Sequence, residues 1–290
     1  MNNCPWCGKA TDNSVLELKD YFLSKENFKI MECSDCGLRF TSPRPAPDMI
    51  GKYYQSEDYY SHQQNNKGFI PRIYEFVKSF NIKYKAKLAV EGLPQGKLLD
   101  IGCGVGDFLL HVKKLGWEVQ GVEPSDEAKK IAETRLGFLP KSPKEYASFP
   151  DHSFDVITLW HVLEHIDDLH FQTSEIDRLL KPGGRLIIAL PNFQSFDCQY
   201  YKEKWAAWDV PRHLNHFAPD VLRGMFSTIG FQVVDTQKLI WDAYYISFMS
   251  ERFLGHRLPL LRGAWVGLQS NMKARKNGLY SSLVYRFQKP

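Results

Sequence analysis

The clearest pattern along the chain is a short aliphatic run that ends in a series of glycines. The run 97–101 is bounded and mostly apolar, which is typical of a buried parallel strand. Three glycines, at 102, 104 and 106, then allow a tight backbone turn. The next apolar residues recur at helical spacing: Phe108, Leu109, Val112 and Leu115. Strand, glycine turn and helix predict the opening of a doubly wound nucleotide-binding fold.

Comparable apolar runs downstream predict the remaining strands of one sheet. In order they occupy residues 117–122, 154–160, the second half of 180–192, 231–234 and 280–287. Upstream, apolar residues at helical spacing between Ile73 and Leu88 predict a long helix. Segments of the helical and strand types therefore alternate, as in an α/β fold with a mainly parallel sheet. In such sheets the ligand lies beyond the carboxyl ends of the strands.

The carboxylate of Asp100, two positions ahead of the glycines, indicates which ligand the turn can hold. A dinucleotide-binding turn needs glycine at the sixth position counted from Gly102, but Asp107 stands there. Two carboxylates would repel a phosphate, whereas an ammonium and a sulfonium would be attracted by Asp100. Glu123, at the end of the second strand, is placed to bind ribose hydroxyls. The pattern favours S-adenosylmethionine over NAD; the alternative is that Asp100 only caps the turn.

Four blocks carry a family resemblance: LLDIGCGVG at 98–106, the strand ending in Glu123, DHSFDVITLWHVLEH at 151–165 and LKPGGRLIIALPN at 180–192. Over about residues 70–238 the chain resembles the class I S-adenosylmethionine-dependent methyltransferases. The resemblance implies a Rossmann-like, seven-stranded α/β sheet with helices on both faces. It also implies the residues that contact the cofactor: Asp100 at the ammonium, Gly102, Cys103 and Gly104 at the methionine part, Glu123 at the ribose, Pro124 near the adenine, and Trp160 with His161 below the sulfonium.

Four cysteines near the start of the chain predict a metal site. They form CPWCG and CSDCG pairs with 25 residues between them: Cys4, Cys7, Cys33 and Cys36. Each CxxC followed by glycine can aim two thiolates at one ion, so we expect a structural zinc ribbon over residues 1–45 rather than disulfides. Four thiolates leave no open coordination position for catalysis. Similar segments that end in a stretch like CGLRFTSPRP, here at 36–45, accompany some methyltransferases of sugar and surface-polysaccharide pathways.

Residues 46–95 are predicted to form a linker and a helical cap ahead of a methyltransferase domain at 96–290. Pro43, Pro45 and Pro47 lie at the entrance to the linker, and a cluster of tyrosines follows them in the chain. The family resemblance suggests that such a tyrosine covers the cofactor's carboxylate, which makes Tyr59 and Tyr60 ligand-contact candidates. The alternative for both the helix and the tyrosines is ordinary core packing.

The block at 195–217 lacks helical or strand periodicity and follows a strand at the ligand edge of the sheet. Trp205 and Trp208 are candidates for stacking on a sugar or aromatic ring. Arg212 is a candidate for gripping a phosphate or carboxylate, and His213 for removing a proton. The alternative for His213 is a neutral histidine that fixes the loop, and His216 is expected to be structural.

His161 and His165 stand four residues apart in WHVLEH, a spacing that would also suit two metal ligands. Because the block follows a buried strand inside the methyltransferase-like region, we do not expect a metal there. His161 is instead a candidate general base or a residue that lines the cleft.

About 40 residues separate the last two strands, where a short turn is expected. This insertion, at about 240–278, begins with an aromatic-rich helical pattern that includes Tyr244 and Tyr245, candidates for substrate contact. Three interpretations stay open: a substrate lid, a dimer contact or a helix on a membrane surface. The basic residues Lys273, Arg275 and Lys276 fit a phosphate contact or a solvated surface.

Composition narrows the function classes. The chain has 290 residues, 43% hydrophobic and 24% charged, and a net charge of +4, which is too small to demand nucleic acid. It has no apolar run of signal-peptide or membrane-spanning type, so we expect a cytoplasmic protein, as a monomer or homodimer. The expected function is methyl transfer to a small molecule, a sugar or related metabolite. The alternatives are an RNA or protein methyltransferase that docks through the ribbon, and a nonenzymatic module that binds the cofactor.

Overall fold

The computed structural model describes residues 2–46, 49–54 and 69–290, and of residues 69–78 the backbone only. The strands are, in chain order: β1 (Asn2–Asn3), β2 (Ala10–Thr11), β3 (Ser14–Lys19), β4 (Asn27–Glu32), β5 (Arg39–Ser42), β6 (Lys97–Ile101), β7 (Glu118–Val122), β8 (Phe154–Trp160), β9 (Leu180–Pro191), β10 (Asn215–His216), β11 (Gln232–Lys238) and β12 (Ser282–Gln288). The helices are α1 (Phe69–Val90), α2 (Asp107–Lys114), α3 (Asp126–Leu136), α4 (Leu169–Leu179), α5 (Phe196–Tyr201), α6 (Pro219–Thr228), α7 (Ile240–Phe253) and α8 (Pro259–Asn277). Short 3₁₀ helices lie at Ile50–Tyr53, Pro143–Ser148, Leu163–His165, Lys202–Lys204 and Ala206–Trp208.

The central sheet has the strand order β11-β12-β9-β8-β6-β7. Strands β7, β6, β8 and β9 run parallel, while β12 lies antiparallel between β9 and β11. The predicted α/β class is confirmed. The sheet has six strands in the described residues, where the family resemblance implied seven.

A single bridge stands in the place of the missing strand. Lys141 pairs in parallel with Val122, and its amide donates to the carbonyl of Gly121 at 2.9 Å. Pro140 and Pro143 flank Lys141, and proline has no amide hydrogen to donate to a ladder. The segment therefore contacts the edge of β7 at one residue and then enters a 3₁₀ helix.

Apolar side chains cover both faces of the sheet. On one face α1, α2 and α3 pack on residues such as Leu98 and Val156. On the other face α4 and α6 pack on Leu99 and Ile157. Because neighbouring residues of a strand point to opposite faces, the continuous aliphatic runs read from the sequence supply both cores. In the described part of the chain no helix is long and apolar enough to cross a membrane.

The N-terminal sheet is not separate from the rest of the protein. Its strand order is β10-β5-β4-β3, so three strands come from the first 45 residues and the fourth from the loop after β9. Asn215 pairs with Phe40 and His216 with Arg39. Phe40 and Leu38 also belong to the apolar cluster beneath α4 and α6. The N-terminal segment is thereby joined to the loop that was predicted to receive substrate.

The insertion between β11 and β12 is the helical hairpin α7–α8. Gly263 and Gly267 of α8 face α7, where an added Cβ would lie 2.6 Å from the Cα of Phe248 and 2.9 Å from the Cα of Tyr244. The two helices approach so closely that only glycine fits at these two positions. Ile246 and Val266 then join an apolar cluster with Trp205, Trp208 and Phe28, which connects the hairpin, the loop and the N-terminal sheet.

Candidate active site

The carboxyl ends of β7, β6 and β8 bring the predicted cofactor residues to one edge of the sheet. Asp100 ends up 3% exposed and accepts a 2.6 Å hydrogen bond from the Thr158 hydroxyl, its direct neighbour on β8. Burial raises the pKa of Asp100 to about 7, against the opposing effects of Thr158 and Lys85. A cationic ligand beside this carboxyl would favour its ionised form.

The glycine turn is closely packed at Gly102 and open at Gly104. Gly102 and Gly104 have φ values of +72° and +54°, a region that side chains rarely occupy. A Cβ on Gly102 would lie 2.4 Å from a methyl carbon of Val162, whereas a Cβ on Gly104 would have no heavy atom of the described residues within 4 Å, apart from those of adjacent residues. The backbone at Gly104 is therefore accessible to a ligand. Cys103 between them is buried, and burial raises the pKa of its thiol well above the usual range.

Glu123 closes the far side of this turn. One carboxylate oxygen accepts a hydrogen bond from the amide of Gly104 and the other from the amide of Ser125, both at 2.9 Å. A carboxylate oxygen has two lone pairs, so each can still accept a hydroxyl. Ser125 caps α3 by accepting from the amide of Ala128, which places Pro124 between the carboxylate and the helix.

His161 follows β8 in a positive-φ conformation and is held from two sides. Its Nε2 lies 3.0 Å from an oxygen of Asp242 on α7, and its Nδ1 lies 3.4 Å from an oxygen of Glu164. Burial disfavours the charged imidazole, but the two carboxylates outweigh it and raise the pKa of His161 to about 9. His161 is thus an imidazolium at neutral pH, and an imidazolium has no lone pair with which to remove a proton.

A second group of side chains meets behind His161. Glu164 is 1% exposed, and among the described residues neither of its oxygens has a hydrogen bond shorter than the 3.4 Å contact between Oε1 and Nδ1 of His161. His165 has its Nδ1 2.9 Å from the carbonyl oxygen of Arg212, and His213 has its Nδ1 2.9 Å from that of Ala207. A carbonyl can only accept, so both Nδ1 atoms carry the hydrogen and both Nε2 atoms present a lone pair.

The three side chains lie within contact range of one another. One ligand atom from each of Glu164, His165 and His213 lies within 4.8 Å of the other two. The two imidazole rings meet edge to face, 4.6 Å apart. Burial and the neighbouring His213 lower the pKa of His165 to about 4. Three acceptor groups therefore converge, and among the described residues the His161 imidazolium contacts only Glu164 of the three, so the two Nε2 lone pairs could accept from a further donor or bind a cation.

A family model described as a methyltransferase domain matches residues 73–236, more than half of the chain. The chain belongs to this methyltransferase family. An uncharacterized methyltransferase of Alkaliphilus oremlandii is 29% identical over 110 residues, which cover 37% of this chain and 51% of that protein. The chain thus spans about half the length of that relative. A ubiquinone biosynthesis O-methyltransferase of Xanthomonas campestris is 25% identical over 165 residues, 52% of this chain and 69% of that protein.

Solved structures agree with the fold. A phosphoethanolamine N-methyltransferase of Haemonchus contortus in complex with S-adenosylmethionine has a TM-score of 0.54 at 16% identity, over 95% of this chain and 71% of that one. An S-adenosylmethionine-dependent methyltransferase of Archaeoglobus fulgidus has a TM-score of 0.50 at 20% identity, over 81% and 100%. The chain therefore carries a methyltransferase domain, and its fold is that of S-adenosylmethionine-dependent methyltransferases, as the sequence motifs predicted.

The four cysteines of the methyltransferase converge as predicted. The sulfur atoms of Cys4 and Cys36 are 3.5 Å apart and those of Cys7 and Cys33 3.4 Å apart, too far for disulfides, and all four lie within 4.8 Å of one another. Gly8 and Gly37 turn each CxxC loop with φ values of +74° and +73°. A set of four thiolates in this arrangement fits a tetrahedral Zn²⁺ ion.

Arg212 is located differently from what we expected. It is 3% exposed, and its guanidinium donates to Asp209, to Asp20 at 3.1 Å and to the carbonyl oxygen of Tyr53. Its charge is used within the chain, so it is not available to grip a phosphate. The sequence could not indicate this, because Asp20 lies 192 residues away in the N-terminal segment.

Trp205 and Trp208 are also buried rather than presented to a ligand. Their indole nitrogens donate to Asp197 and to the carbonyl oxygen of Lys202. Both rings pack in the cluster formed with the α7–α8 hairpin, because that hairpin covers a loop that appears exposed from local sequence alone. His216 is buried with its Nε2 3.0 Å from the Thr41 hydroxyl, in agreement with a structural role.

The tyrosine candidates divide into two groups. Tyr245 is exposed, whereas the neighbouring Tyr244 packs near Trp241. Tyr59 and Tyr60 lie outside the described residues.

Sequence reasoning missed Lys85, Glu164 and Asp242 as residues of the cleft. Lys85 of α1 places its Nζ 4.9 Å from the ring centroid of Trp160. Burial lowers the pKa of Lys85, while Asp242 and Asp100 counteract this effect. Lys85 is one of five basic residues in α1, so its sequence context did not distinguish it from the others or indicate a partner.

Proposed function

We propose that the methyltransferase acts on a small metabolite that carries a hydroxyl or amino group, foremost a sugar or a related compound. The convergence of Glu164, His165 and His213 supports this proposal. The O–H or N–H group of such a substrate would donate a hydrogen bond to an Nε2 lone pair of His165 or His213, which no side chain among the described residues does. Sugars carry several such groups. The names of two relatives, a ubiquinone biosynthesis O-methyltransferase and a phosphoethanolamine N-methyltransferase, are of the same broad reaction type.

For the cofactor, we propose the positions read from the sequence, together with Asp242 and Lys85, which lie beside them. Asp100 receives the ammonium group, the backbone of Gly102, Cys103 and Gly104 lies along the methionine part, and Glu123 binds the ribose hydroxyls. Pro124 lies near the adenine. Trp160 and the His161–Asp242 pair form the wall below the sulfonium, and Lys85 contributes positive charge toward the carboxylate of the cofactor.

When bound, S-adenosylmethionine supplies an electrophilic methyl group. In our proposal, Nε2 of His213 takes the proton that the acceptor's oxygen or nitrogen loses as it is methylated. Glu164 stabilises the resulting imidazolium. His165 is the less suitable base because its pKa lies at about 4. His161, already an imidazolium, positions the wall rather than removing the proton.

For the N-terminal segment, we propose structural Zn²⁺ on Cys4, Cys7, Cys33 and Cys36. The ion would fix the two CxxC loops and, through β5, the strand β10 that immediately follows His213 and Leu214. This links the ribbon to the acceptor end of the active site rather than to a macromolecule.

The acceptor class is tested by transfer of a labelled methyl group from S-adenosylmethionine to nucleotide sugars, phenols, amino alcohols, RNA and protein. We expect labelling of a small molecule. Label in RNA or protein alone would contradict the proposal. Once the acceptor is identified, His213→Ala should lower kcat by about 100 to 10,000-fold with little change in cofactor affinity. His111→Ala, at a half-buried histidine of α2, is the matched control.

Metal analysis of the unaltered chain and of His213→Ala tests the alternative that a cation occupies this group of side chains. If a divalent cation occupies Glu164, His165 and His213, metal analysis will find a second ion in addition to zinc, and His213→Ala will lose it. That result would replace the proton-acceptor role of His213 with a ligand role. We expect one metal ion per chain in the unaltered protein and in His213→Ala alike.

A further inference from the structure

The outer face of α8 exposes a stripe of large apolar side chains. Leu261, Trp265, Leu268 and Met272 are spaced by four, three and four residues, so they lie on one side of the helix. Their exposed fractions are 66%, 62%, 41% and 57%. Leu258 and Leu260, just before and at the start of the helix, are 61% and 62% exposed. So many exposed apolar side chains in one place are unusual on a soluble surface.

This stripe is not the face by which α8 packs on the protein. Gly263, Val266, Gly267, Ser270 and Ala274 are buried, and the two glycines contact α7. The apolar stripe lies on the opposite side of the helix. The helix is thus secured on its inner face and presents a second apolar face outward.

The charge of the hairpin indicates what covers this face. Residues 240–277 contain six lysines and arginines and only two acidic residues, an excess of four positive charges, as large as the net charge of the whole chain. The two acidic residues are used internally: Asp242 pairs with His161, and buried Glu251 contacts His256, Arg262 and Tyr201. Helix α8 itself has no acidic residue, while Arg275 and Lys276 are exposed beside the stripe.

From these features we propose that the outer face of α8 docks on an anionic phospholipid surface. Leucines and a tryptophan on one face, with lysines and arginines around them, are the composition of a helix that lies in the membrane interface. A second copy of the chain is a poorer occupant. Pairing two α8 stripes would bring cationic side chains together with no carboxylate on the helix to balance them.

The position of the hairpin gives this docking a consequence for catalysis. Asp242 on α7 forms the wall of the cleft with His161, and α7 is held against α8 at Gly263 and Gly267. A membrane-bound α8 would therefore hold the cleft close to the lipid surface. The inference stands on the exposed face of α8 and the charge of the α7–α8 hairpin, and it does not depend on which acceptor is methylated.

Vesicle binding tests the proposal. The full chain is mixed with vesicles of phosphatidylcholine alone and of phosphatidylcholine with an equal part of phosphatidylglycerol, then sedimented. We expect binding to the anionic vesicles that weakens as salt is raised. The double variant Leu261→Ser/Trp265→Ser should lower the partition coefficient at least tenfold, and Arg275→Glu/Lys276→Glu should lower it by about tenfold or more.

Matched variants separate this surface from general effects. Phe171→Ser removes a comparably exposed aromatic side chain from α4, and Lys114→Glu/Lys130→Glu makes the same charge change elsewhere. Both should bind vesicles like the unaltered chain, and all variants should keep their melting temperature and cofactor affinity. Absence of binding to anionic vesicles would overturn the proposal, as would equal losses in the controls. A dimer in light scattering that Leu261→Ser/Trp265→Ser dissociates, with no vesicle binding, would assign the face to a second copy instead.

Discussion

The two ends of the cleft, the proposed cofactor end and the proposed acceptor end, are built in different ways. At the cofactor end, Asp100, the glycine turn and Glu123 lie within 24 residues of one another and are placed by two adjacent parallel strands. At the acceptor end, His165 and His213 come from separate segments, and the loop that carries His213 is fixed by the N-terminal sheet and the α7–α8 hairpin. The cofactor end is a product of local backbone geometry, whereas the acceptor end depends on long-range packing. Its stability and its chemistry are therefore linked to parts of the chain that touch no ligand.

Removal of the proposed zinc ion should give the largest separation between the two ends. We expect that a strong chelator, or Cys33→Ser/Cys36→Ser, abolishes methyl transfer, because loss of the ribbon frees β5 and with it β10. The central sheet does not need the ion, so cofactor affinity should change by less than about tenfold. Calorimetry with S-adenosylmethionine and a methyl-transfer assay on the same samples provide the measurement. Equal loss of cofactor binding would show that the ends are not independent.

Replacement of Arg212 should destabilise the protein strongly without affecting the cofactor turn. Arg212→Leu leaves Asp20 and Asp209 without their cationic partner, and breaking a buried ion pair typically costs about 3–5 kcal/mol. The free energy of unfolding in urea measures the effect. Arg178→Leu is the comparison, because Arg178 also pairs with two carboxylates but is more exposed. It should cost about 1 kcal/mol or less. Similar costs for the two variants would contradict the structural role assigned to Arg212.

Loss of a protein carboxylate that binds the cofactor should affect only the cofactor end of the cleft. Asp100→Ala and Glu123→Ala should each weaken S-adenosylmethionine binding by about 10 to 100-fold, since each removes a charge-assisted hydrogen bond from a buried site. Asp107→Ala is the control, because this carboxylate on α2 pairs with Arg135. Calorimetry gives the affinities. If Asp107→Ala weakens binding as much as Asp100→Ala, the assignment of the ammonium to Asp100 is incorrect.

The smallest effect expected is a pH dependence of cofactor affinity. Burial raises the pKa of Asp100 to about 7, so its carboxyl is largely protonated at pH 6 and largely ionised at pH 8. Because an ammonium favours the ionised form, the dissociation constant should be about tenfold larger at pH 6 than at pH 8. In Asp100→Asn this difference should disappear. A dependence that persists in Asp100→Asn would assign the titration to another group.

The sequence predicted where the proposed cofactor residues lie in the fold, because the determinants of their positions are local. The strand at 97–101, the glycine turn and Glu123 lie where periodicity and spacing placed them. Predicted strand bounds elsewhere were off by a few residues, as for β11, which extends to Lys238. The seventh strand that the family resemblance implied is reduced to the bridge at Lys141, where Pro140 and Pro143 limit further pairing.

The acceptor end could not be predicted in the same way. An arginine in a loop resembles a ligand-binding residue until its distant partner, Asp20, is known. Trp205 and Trp208 resemble exposed stacking groups until the helices that cover them are placed. The imidazolium state of His161 depends on Asp242, 81 positions later in the chain. Each of these properties arises from a contact between segments whose separation carries no periodic pattern.

The strand that the N-terminal sheet takes from the loop after β9 sets a condition for recombination. A chimaera that exchanges only the first 45 residues with a related enzyme would pair a foreign β5 with the resident Asn215–His216 edge, and one that exchanges only the loop would make the converse mismatch. The two segments must be exchanged together although some 170 residues separate them in the chain. Attempts to alter acceptor preference by domain shuffling should therefore move both pieces together.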